Sequence, residues 1–318
     1  MERHFAKVVV CGAGVMGHSL ALLHALKSEV WLTDISEQSL ERAILLMRSA
    51  AETLAKAGFL SESPEDVMSR VHASSDLASC LPDADLVVEA ISENPDIKRA
   101  FFASLAEGPC SVLANEHTLV ASNTSSLDIF ALAPEALLPR LYGAHHFVPP
   151  HIVPLAEIVQ PSAPLPGATE RLMDHYRACG AVPVLLERFC PGFVVNRIQK
   201  AIHGEMFKLL EEGVVDAKGL DLAVMSSLGI RIPVLGVLKR LDFAGLELVK
   251  GNMTRLGLTP PKALCDIVER GDYGVKTGKG FYDYSDRTPE EVYEERDLAL
   301  LKIRSAMESA GLLPSGLS

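Results

Sequence analysis

The sequence predicts a doubly wound α/β domain, with a parallel sheet covered by helices on both faces, followed by a smaller helical domain. Three observations support this prediction. Short apolar runs alternate with stretches of helical periodicity through the first 188 residues. A glycine-rich turn joins the first run to the first helix, and after "RFCPGF" (188–193) helical periodicity continues with few strand candidates. We therefore expect the α/β domain over residues 1–188 and the helical domain over residues 189–318.

The elements of the first domain follow from their periodicity. Residues 8–10 form an apolar run too short for a helix, and apolar residues then recur at helical spacing from Met16 to Leu26 before a second strand at 30–33. A long helix is predicted over 36–58, ending at Gly58, with a buried face formed by Leu40, Ile44, Met47, Ala51 and Leu54. Further strands are predicted at 84–91, at 117–126, and in "RLYGAHHF", "PLAEIV" and "VPVLLE".

The bulk composition excludes several classes of protein. The 318 residues carry a net charge of −11, which argues against a surface for nucleic acid. The six cysteines show no C-x-x-C spacing, so neither a disulfide framework nor a zinc site is expected. No uncharged apolar run reaches the ~18 residues that a membrane span needs, and "MERHFAKVVV" leaves no room for a secretory leader. We expect a cytoplasmic protein.

The glycine-rich turn has the spacing of a dinucleotide-binding turn. Gly12, Gly14 and Gly17 form G-x-G-x-x-G between the first strand and the first helix. Glycine at these positions permits a tight turn, close approach of the backbone to a pyrophosphate, and close packing of helix on strand. Asp34 follows the second strand, where a carboxylate suits ribose hydroxyls and repels a 2′-phosphate. The pattern predicts a Rossmann-like domain that binds NAD rather than NADP; the alternative is a plain glycine turn with Asp34 capping the next helix.

The segment "GAHHFVPPHIVPLAEIV" (143–159) carries the candidate catalytic base. If its two halves form a hairpin centred on residue 151, His145 and Glu157 lie opposite each other, with Cβ atoms ~5 Å apart. The carboxylate can then orient the imidazole as a general base. His146 points to the other face of the strand, and His151 is expected at the exposed tip. A metal site would need three converging ligands, and this hairpin does not supply them, so no metal is expected.

Taken together, several motifs make the chain resemble the L-3-hydroxyacyl-CoA dehydrogenase family almost from end to end. They are "CGAGVMG", "DLVVEAISEN", "ASNTSSL", the His145 segment, "PGFVVNR" and "GVKTGKGFYDY". The resemblance implies a Rossmann-like NAD domain and a helical domain that contributes to substrate binding and forms a homodimer interface. It also implies that His145 is the catalytic histidine, with Glu157 as its partner.

The same resemblance assigns roles to further residues. Ser125 and Asn196 correspond to the side chains that contact the substrate oxygen, although each has a structural alternative as a helix cap. The residues that correspond to cofactor contacts, besides the three glycines and Asp34, are Val15, Met16, Glu93, Lys98, Asn123, Ser125 and Lys276. Lys276 has the alternative of a solvated surface residue.

Two departures from the family pattern bear on the ligands. Val148 stands where the family usually has an asparagine beside the cofactor, and Ala50 and Ala57 stand where members that use CoA carry a serine and a lysine. Lys56 is one position away and its stem is long and flexible. We therefore expect CoA to add less binding energy here than in typical relatives.

The predicted reaction is the oxidation of a 3-hydroxyl group to a ketone by hydride transfer to NAD. A 3-hydroxyacyl-CoA such as 3-hydroxybutyryl-CoA is the first candidate substrate, and a free small 3-hydroxy acid, gulonate-like or carnitine-like, is the second. Two rivals remain: a non-catalytic, crystallin-like NAD-binding protein, and a dehydrogenase of the 3-hydroxyisobutyrate group, which relies on a catalytic lysine. The intact set of His145, Glu157, Ser125 and Asn196 argues against the first rival, and the His145–Glu157 hairpin disfavours the second.

Overall fold

The computed structural model describes residues 4–313, which divide into one compact unit up to Ala201 and a second from Ile202 onward. The predicted fold class is confirmed: an α/β unit is followed by a helical one. No helix within the described range has both the length and the apolar character needed to cross a membrane.

An eight-stranded sheet forms the centre of the first unit. The strands are β1 (Lys7–Cys11), β2 (Glu29–Thr33), β3 (Val71–Ser74), β4 (Leu86–Glu89), β5 (Leu119–Ser122), β6 (Leu141–His146), β7 (Leu155–Val159) and β8 (Val182–Leu186). Their order is β3-β2-β1-β4-β5-β6-β7-β8. Every neighbouring pair is parallel except β6 and β7, which form the antiparallel hairpin. Because these strands are parallel, the polar side chains that follow β1, β4 and β5 lie together at the carboxyl ends of the strands, where ligands bind in such folds.

Helices cover both faces of this sheet. They are α1 (Gly17–Ala25), α2 (Glu37–Lys56), α3 (Pro64–Ser69), α4 (Leu77–Cys80), α5 (Pro95–Ala106) and α6 (Ala168–Ala178); α7 (Val195–Glu211) runs across the boundary between the units. The amphipathic pattern predicted α2 well: Leu40, Met47, Ala51 and Leu54 are buried, and Ile44 packs against the same core. Its N-terminus is capped by the Ser36 side chain, which accepts from Ser39 N at 3.2 Å.

The second unit consists of helices and one irregular segment. The helices are α8 (Ala217–Leu235), α9 (Lys239–Ala244), α10 (Leu246–Arg255), α11 (Lys262–Glu269) and α12 (Pro289–Ser309). The buried Asp242 carboxylate accepts hydrogen bonds from Phe281 N, Tyr282 N and the Tyr284 hydroxyl at 2.9–3.0 Å. This carboxylate fixes the "GKGFYDY" segment on the helices.

Sequence periodicity missed β3 and the short helices α3 and α4. β3 has only four residues, "VHAS", and two of them are exposed; it lies at one edge of the sheet. A strand of this length gives no apolar run, so its place in the sheet depends on pairing with β2 rather than on its own sequence.

Candidate active site

The glycine turn after β1 is too crowded for side chains at two of its three glycines. Gly12 has φ +103°, and a Cβ there would lie 2.5 Å from Ala90 O. A Cβ on Gly17 would lie 1.6 Å from Gly12 O. By contrast, nothing lies within 4 Å of a Cβ placed on Gly14. Gly12 and Gly17 are therefore required by the packing of the turn, whereas Gly14 borders open space.

The start of α1 fits the pyrophosphate of a dinucleotide. Met16 is the N-cap and makes no side-chain cap, and no acidic residue lies in the first turn, so the helix presents free N–H groups and the positive end of its dipole. Val15 in the same turn is exposed. The Asp34 carboxylate accepts from Ala13 N at 2.8 Å and Ser36 N at 2.9 Å. Asp34 thus braces the turn from the end of β2, and the cap of α2 is Ser36.

His145 and Glu157 form a buried pair across the β6–β7 hairpin. They are direct register partners, as predicted from a hairpin centred on residue 151, and His145 Nδ1 lies 2.8 Å from Glu157 Oε2. The other carboxylate oxygen accepts from Val194 N at 2.9 Å and Val195 N at 3.1 Å, at the start of α7. Burial raises the pKa of Glu157, but the hydrogen bonds from His145, Val195 and Val194 outweigh it and lower the pKa. Glu157 is therefore a carboxylate that accepts from the imidazole.

This arrangement selects one tautomer of a neutral His145. With Nδ1–H donated to Glu157, the lone pair is on Nε2, which is the nitrogen available as a base. The ring stacks on Phe193, with centroids 4.7 Å apart, and meets Phe147 edge-on at the same distance. The imidazole is thus held by packing as well as by its hydrogen bond.

Residues that sequence reasoning assigned from distant motifs meet at one cavity of about 310 Å³. The predicted residues that line it are Met16, Glu93, Lys98, Asn123, Ser125, His145 and Asn196, together with Val148. Lys276 lies in the second unit, where it is exposed and forms an ion pair with Glu247. Val148, the departure from the family pattern noted above, therefore lies on the wall of this cavity.

A chain of charged groups supports the cavity wall. Glu93 Oε1 accepts from Thr124 Oγ1 at 2.7 Å and Ser125 N at 2.8 Å, while Oε2 lies 3.2 Å from Lys98 Nζ. Lys98 is buried and donates to the buried Glu89 at 2.5 Å. Burial raises the pKa of Glu93, but the bonds from Thr124, Ser125 and Lys98 outweigh it and lower the pKa. Both glutamates therefore act as fixed acceptors.

Sequence reasoning missed Glu89. It also accepts from the Ser122 hydroxyl and from Ile91 N, the latter at 3.0 Å, and so ties β4, β5 and α5 together. The available signal was an acid at the end of the apolar strand "LVVE", because a buried carboxylate requires partners.

His151 differs from the expectation of an exposed tip. The turn places its Nδ1 2.5 Å from the Ser19 hydroxyl on α1, and the residue is only partly exposed. Burial and the nearby His18 lower the pKa of His151. Ser19 is 132 positions away in sequence, so local sequence gave no indication of this contact.

His24, His175 and Cys179 form a buried cluster between α1 and α6 whose ligand atoms lie within 4.8 Å of one another. Phe5 N donates to His175 Nδ1 at 3.1 Å, so a neutral His175 carries its proton on Nε2, which lies 2.9 Å from His24 Nδ1. Burial raises the pKa of Cys179 to about 12. A metal ion would need an unprotonated His175 Nε2 and a deprotonated Cys179, because only those forms are ligands. The protonated Nε2 and the raised pKa of Cys179 therefore favour a hydrogen-bonded core cluster over a metal site.

A second cavity of about 770 Å³ shares Ser125 and Asn196 with the first and is also lined by Arg197 and Lys200. Arg197 Nη1 lies 2.8 Å from Cys190 Sγ. Neither cation pairs with a carboxylate within residues 4–313. Two cations therefore line this cavity beside the two polar residues predicted to contact substrate, and the Glu93 carboxylate accepts hydrogen bonds from Ser125 and Ser126 of the same lining.

Comparison with known proteins gives matches along most of the chain. The family model of the NAD binding domain of 3-hydroxyacyl-CoA dehydrogenase matches residues 7–189, and that of its C-terminal domain matches residues 192–284. The predicted cofactor, NAD, is confirmed by the first match.

Individual relatives are similar over almost their whole length. The 5-formyl-3-hydroxy-2-methylpyridine 4-carboxylate 5-dehydrogenase of Mesorhizobium japonicum is 30% identical over 95% of this chain and 98% of its own. The 3-hydroxybutyryl-CoA dehydrogenase of Bradyrhizobium diazoefficiens is 34% identical over 89% and 97%. The crystal structure of a 3-hydroxyacyl-CoA dehydrogenase from Archaeoglobus fulgidus matches with a TM-score of 0.77 at 29% identity, covering 96% of this chain and 99% of that one.

Proposed function

Because the chain belongs to the 3-hydroxyacyl-CoA dehydrogenase family, we propose that it oxidises the 3-hydroxyl group of an L-3-hydroxyacyl substrate, with His145 and Glu157 as the general-base pair. NAD-dependent oxidation of such an alcohol is the chemistry of the family. The observation that carries the residue assignment is the buried 2.8 Å bond from His145 to Glu157 at the wall of the cavity that Ser125 and Asn196 also line.

In the proposed reaction, His145 Nε2 takes the proton of the substrate hydroxyl. Bound NAD would supply the hydride acceptor for the carbon that carries this hydroxyl, so the products would be the ketone, NADH and a proton held by His145. Glu157 keeps Nδ1–H directed at itself and stabilises the imidazolium that forms. Ser125 and Asn196 orient the substrate oxygen, and in the reverse direction they polarise the ketone.

A 3-hydroxyacyl-CoA thioester is the first substrate to test, on the strength of the family. The second candidate is a free small 3-hydroxy acid. It is favoured by Arg197 and Lys200 beside Ser125 and Asn196, where a carboxylate would find cations. It is also favoured by Ala50 and the exposed Ala57 on α2, which offer no hydrogen bonds to CoA.

A substrate panel followed by NADH absorbance separates these candidates. A kcat/KM for 3-hydroxybutyryl-CoA that exceeds those of the free acids by several orders of magnitude would establish the thioester. Higher kcat/KM values for the free acids than for 3-hydroxybutyryl-CoA, with this preference lost in Lys200→Ala, would establish a free 3-hydroxy acid as the substrate. No turnover with any member of the panel would favour the non-catalytic, crystallin-like alternative.

The base assignment is tested by His145→Asn, with His151→Asn as the matched control on the same hairpin. We expect His145→Asn to lower kcat by about 10² to 10⁴, the usual contribution of a general base, and to leave NADH binding intact. His151→Asn should keep most of the activity. The reverse result would identify His151 as the base.

We also propose that the second unit pairs two chains into a homodimer. Its longest helices, α8 and α12, have few buried residues, and large apolar side chains on them are exposed: Leu222, Val224, Ile232, Leu298 and Leu301. A two-fold dimer is the commonest way for a soluble protein to cover such a surface.

A further inference from the structure

Hydrogen bonds from His146 fix the orientation of the Asn123 side-chain amide. The His146 backbone N–H donates to Asn123 Oδ1 at 3.0 Å. Because a backbone nitrogen can only donate, the Asn123 atom that faces it must be the oxygen. Asn123 lines the cavity of His145. Its NH₂ group is therefore the end that it can present to a ligand there.

The same contacts fix the proton on the His146 ring. Nδ1 lies 2.9 Å from Ala144 O and 3.1 Å from Asn123 Oδ1, and both of these oxygens are acceptors. Nδ1 must therefore carry the proton, and Nε2 is an unprotonated nitrogen that is buried without a hydrogen-bond partner in the described chain. Burial lowers the pKa of His146 to about 4, so the ring stays neutral and its Nδ1–H remains a donor near pH 7.

We propose that His146 is a positioning residue: its backbone N–H and its Nδ1–H together hold Asn123 Oδ1, so that the Asn123 NH₂ group donates to an oxygen at the nicotinamide end of the bound cofactor. This inference rests on the proposed function, because that function takes the cavity beside His145 as the place of hydride transfer. Neighbouring side chains of a strand point to opposite faces, so His145 and His146 of β6 can have different roles. His145 carries the base, and the next residue orients a cofactor contact.

A double-mutant cycle on NADH binding tests the proposal. His146→Phe retains a flat ring and the backbone N–H but removes the Nδ1–H, so the Kd for NADH should rise by roughly five- to tenfold, as for one lost hydrogen bond. Asn123→Ala should weaken binding at least as much. The double variant should bind NADH no more weakly than Asn123→Ala alone, because His146 acts through Asn123.

The matched control is His175→Phe, which alters a buried histidine that bonds to Phe5 N and His24 rather than to Asn123. Its NADH affinity should equal that of the unmodified protein. An unchanged Kd in His146→Phe, or effects of His146→Phe and Asn123→Ala that simply add, would overturn the proposal.

¹⁵N NMR of the histidine rings tests the geometry in the unmodified protein. The His146 signals, identified by their loss in His146→Phe, should show a protonated Nδ1 and a bare Nε2 from pH 8 down to pH 5. A ring protonated on Nε2, or a charged ring at pH 7, would contradict the inference. Neither measurement requires turnover, so a failure to oxidise any 3-hydroxyacyl compound would count against the proposed function alone.

Discussion

Replacing Glu157 by glutamine tests how the base is oriented. Glu157 uses one oxygen for His145 Nδ1 and the other for Val194 N and Val195 N. Glutamine has only one oxygen, so its NH₂ group must face one of these two sets of donors. The two backbone N–H groups are fixed donors, whereas a neutral imidazole can move its proton. We therefore expect the amide oxygen to face α7 and the NH₂ group to face His145, which shifts the ring proton to Nε2.

The expected loss of activity in Glu157→Gln follows from the hydrogen bond between His145 Nδ1–H and the Glu157 carboxylate, which the variant lacks. A hydrogen bond to a charged group contributes about 1.5–3 kcal/mol, and at about 1.36 kcal/mol per factor of ten this is roughly 10- to 150-fold in rate. The loss should appear in kcat, because the bond strengthens as His145 becomes an imidazolium in the transition state. It should be smaller than the loss in His145→Asn, which removes the base itself.

The assay is NADH production at saturating substrate, together with NADH binding and the melting temperature of each variant. Glu170→Gln is the matched control, since Glu170 is an exposed glutamate on α6. We expect kcat to fall in Glu157→Gln and to be unchanged in Glu170→Gln, with NADH affinity retained in both. A Glu157→Gln variant with kcat within twofold of the unmodified enzyme would refute the orienting role.

Four further predictions concern the cofactor, the turn, acid stability and assembly. Asp34 should make the enzyme prefer NAD, and Asp34→Ala should raise kcat/KM for NADP relative to NAD; equal use of both by the unmodified enzyme would contradict this. Gly17→Ala should lower the melting temperature because its Cβ would lie 1.6 Å from Gly12 O, whereas Gly14→Ala, with open space around the Cβ, should leave stability unchanged and weaken NADH binding. The lowered pKa of Glu157 means that its carboxylate contributes stability above the unfolded-state pKa of about 4.3, and this contribution is lost as the pH falls through the folded pKa. The free energies of unfolding of the unmodified protein and Glu157→Gln, measured with denaturant, should therefore converge as the pH drops below about 4. Light scattering at micromolar concentration should give the mass of a dimer, and a monomer would contradict the proposed pairing.

The features that could be predicted from the sequence depend on local periodicity. Alternation along two strands and the midpoint of the turn at residue 151 were enough to pair His145 with Glu157. Helical spacing gave the buried face of α2, and the glycine spacing gave the turn after β1. These features repeat at intervals set by the backbone itself, so they can be read without knowledge of the remaining chain.

The features that could not be predicted depend on contacts between distant segments. Glu157 accepts from backbone groups 37 and 38 positions later, and Ser19 meets His151 across 132 positions. The bond between Lys98 and Glu89 spans only 9 positions, but it depends on the end of β4 and the first turns of α5 lying side by side. No periodicity encodes such contacts, because tertiary packing decides which surfaces meet.

The two oxygens of Glu157 connect the proposed base to the proposed substrate contact. Oε2 accepts from His145, while Oε1 accepts from the N–H groups at the start of α7, whose second residue is Asn196. Burial raises the pKa of Glu157, and the hydrogen bonds from His145, Val195 and Val194 lower it overall; the dipole of α7 also favours a carboxylate at its N-terminus. The same carboxylate thus sets the tautomer of the imidazole and fixes the first turn of the helix that carries Asn196. In the proposed reaction, proton transfer and orientation of the substrate oxygen would therefore both depend on this one side chain.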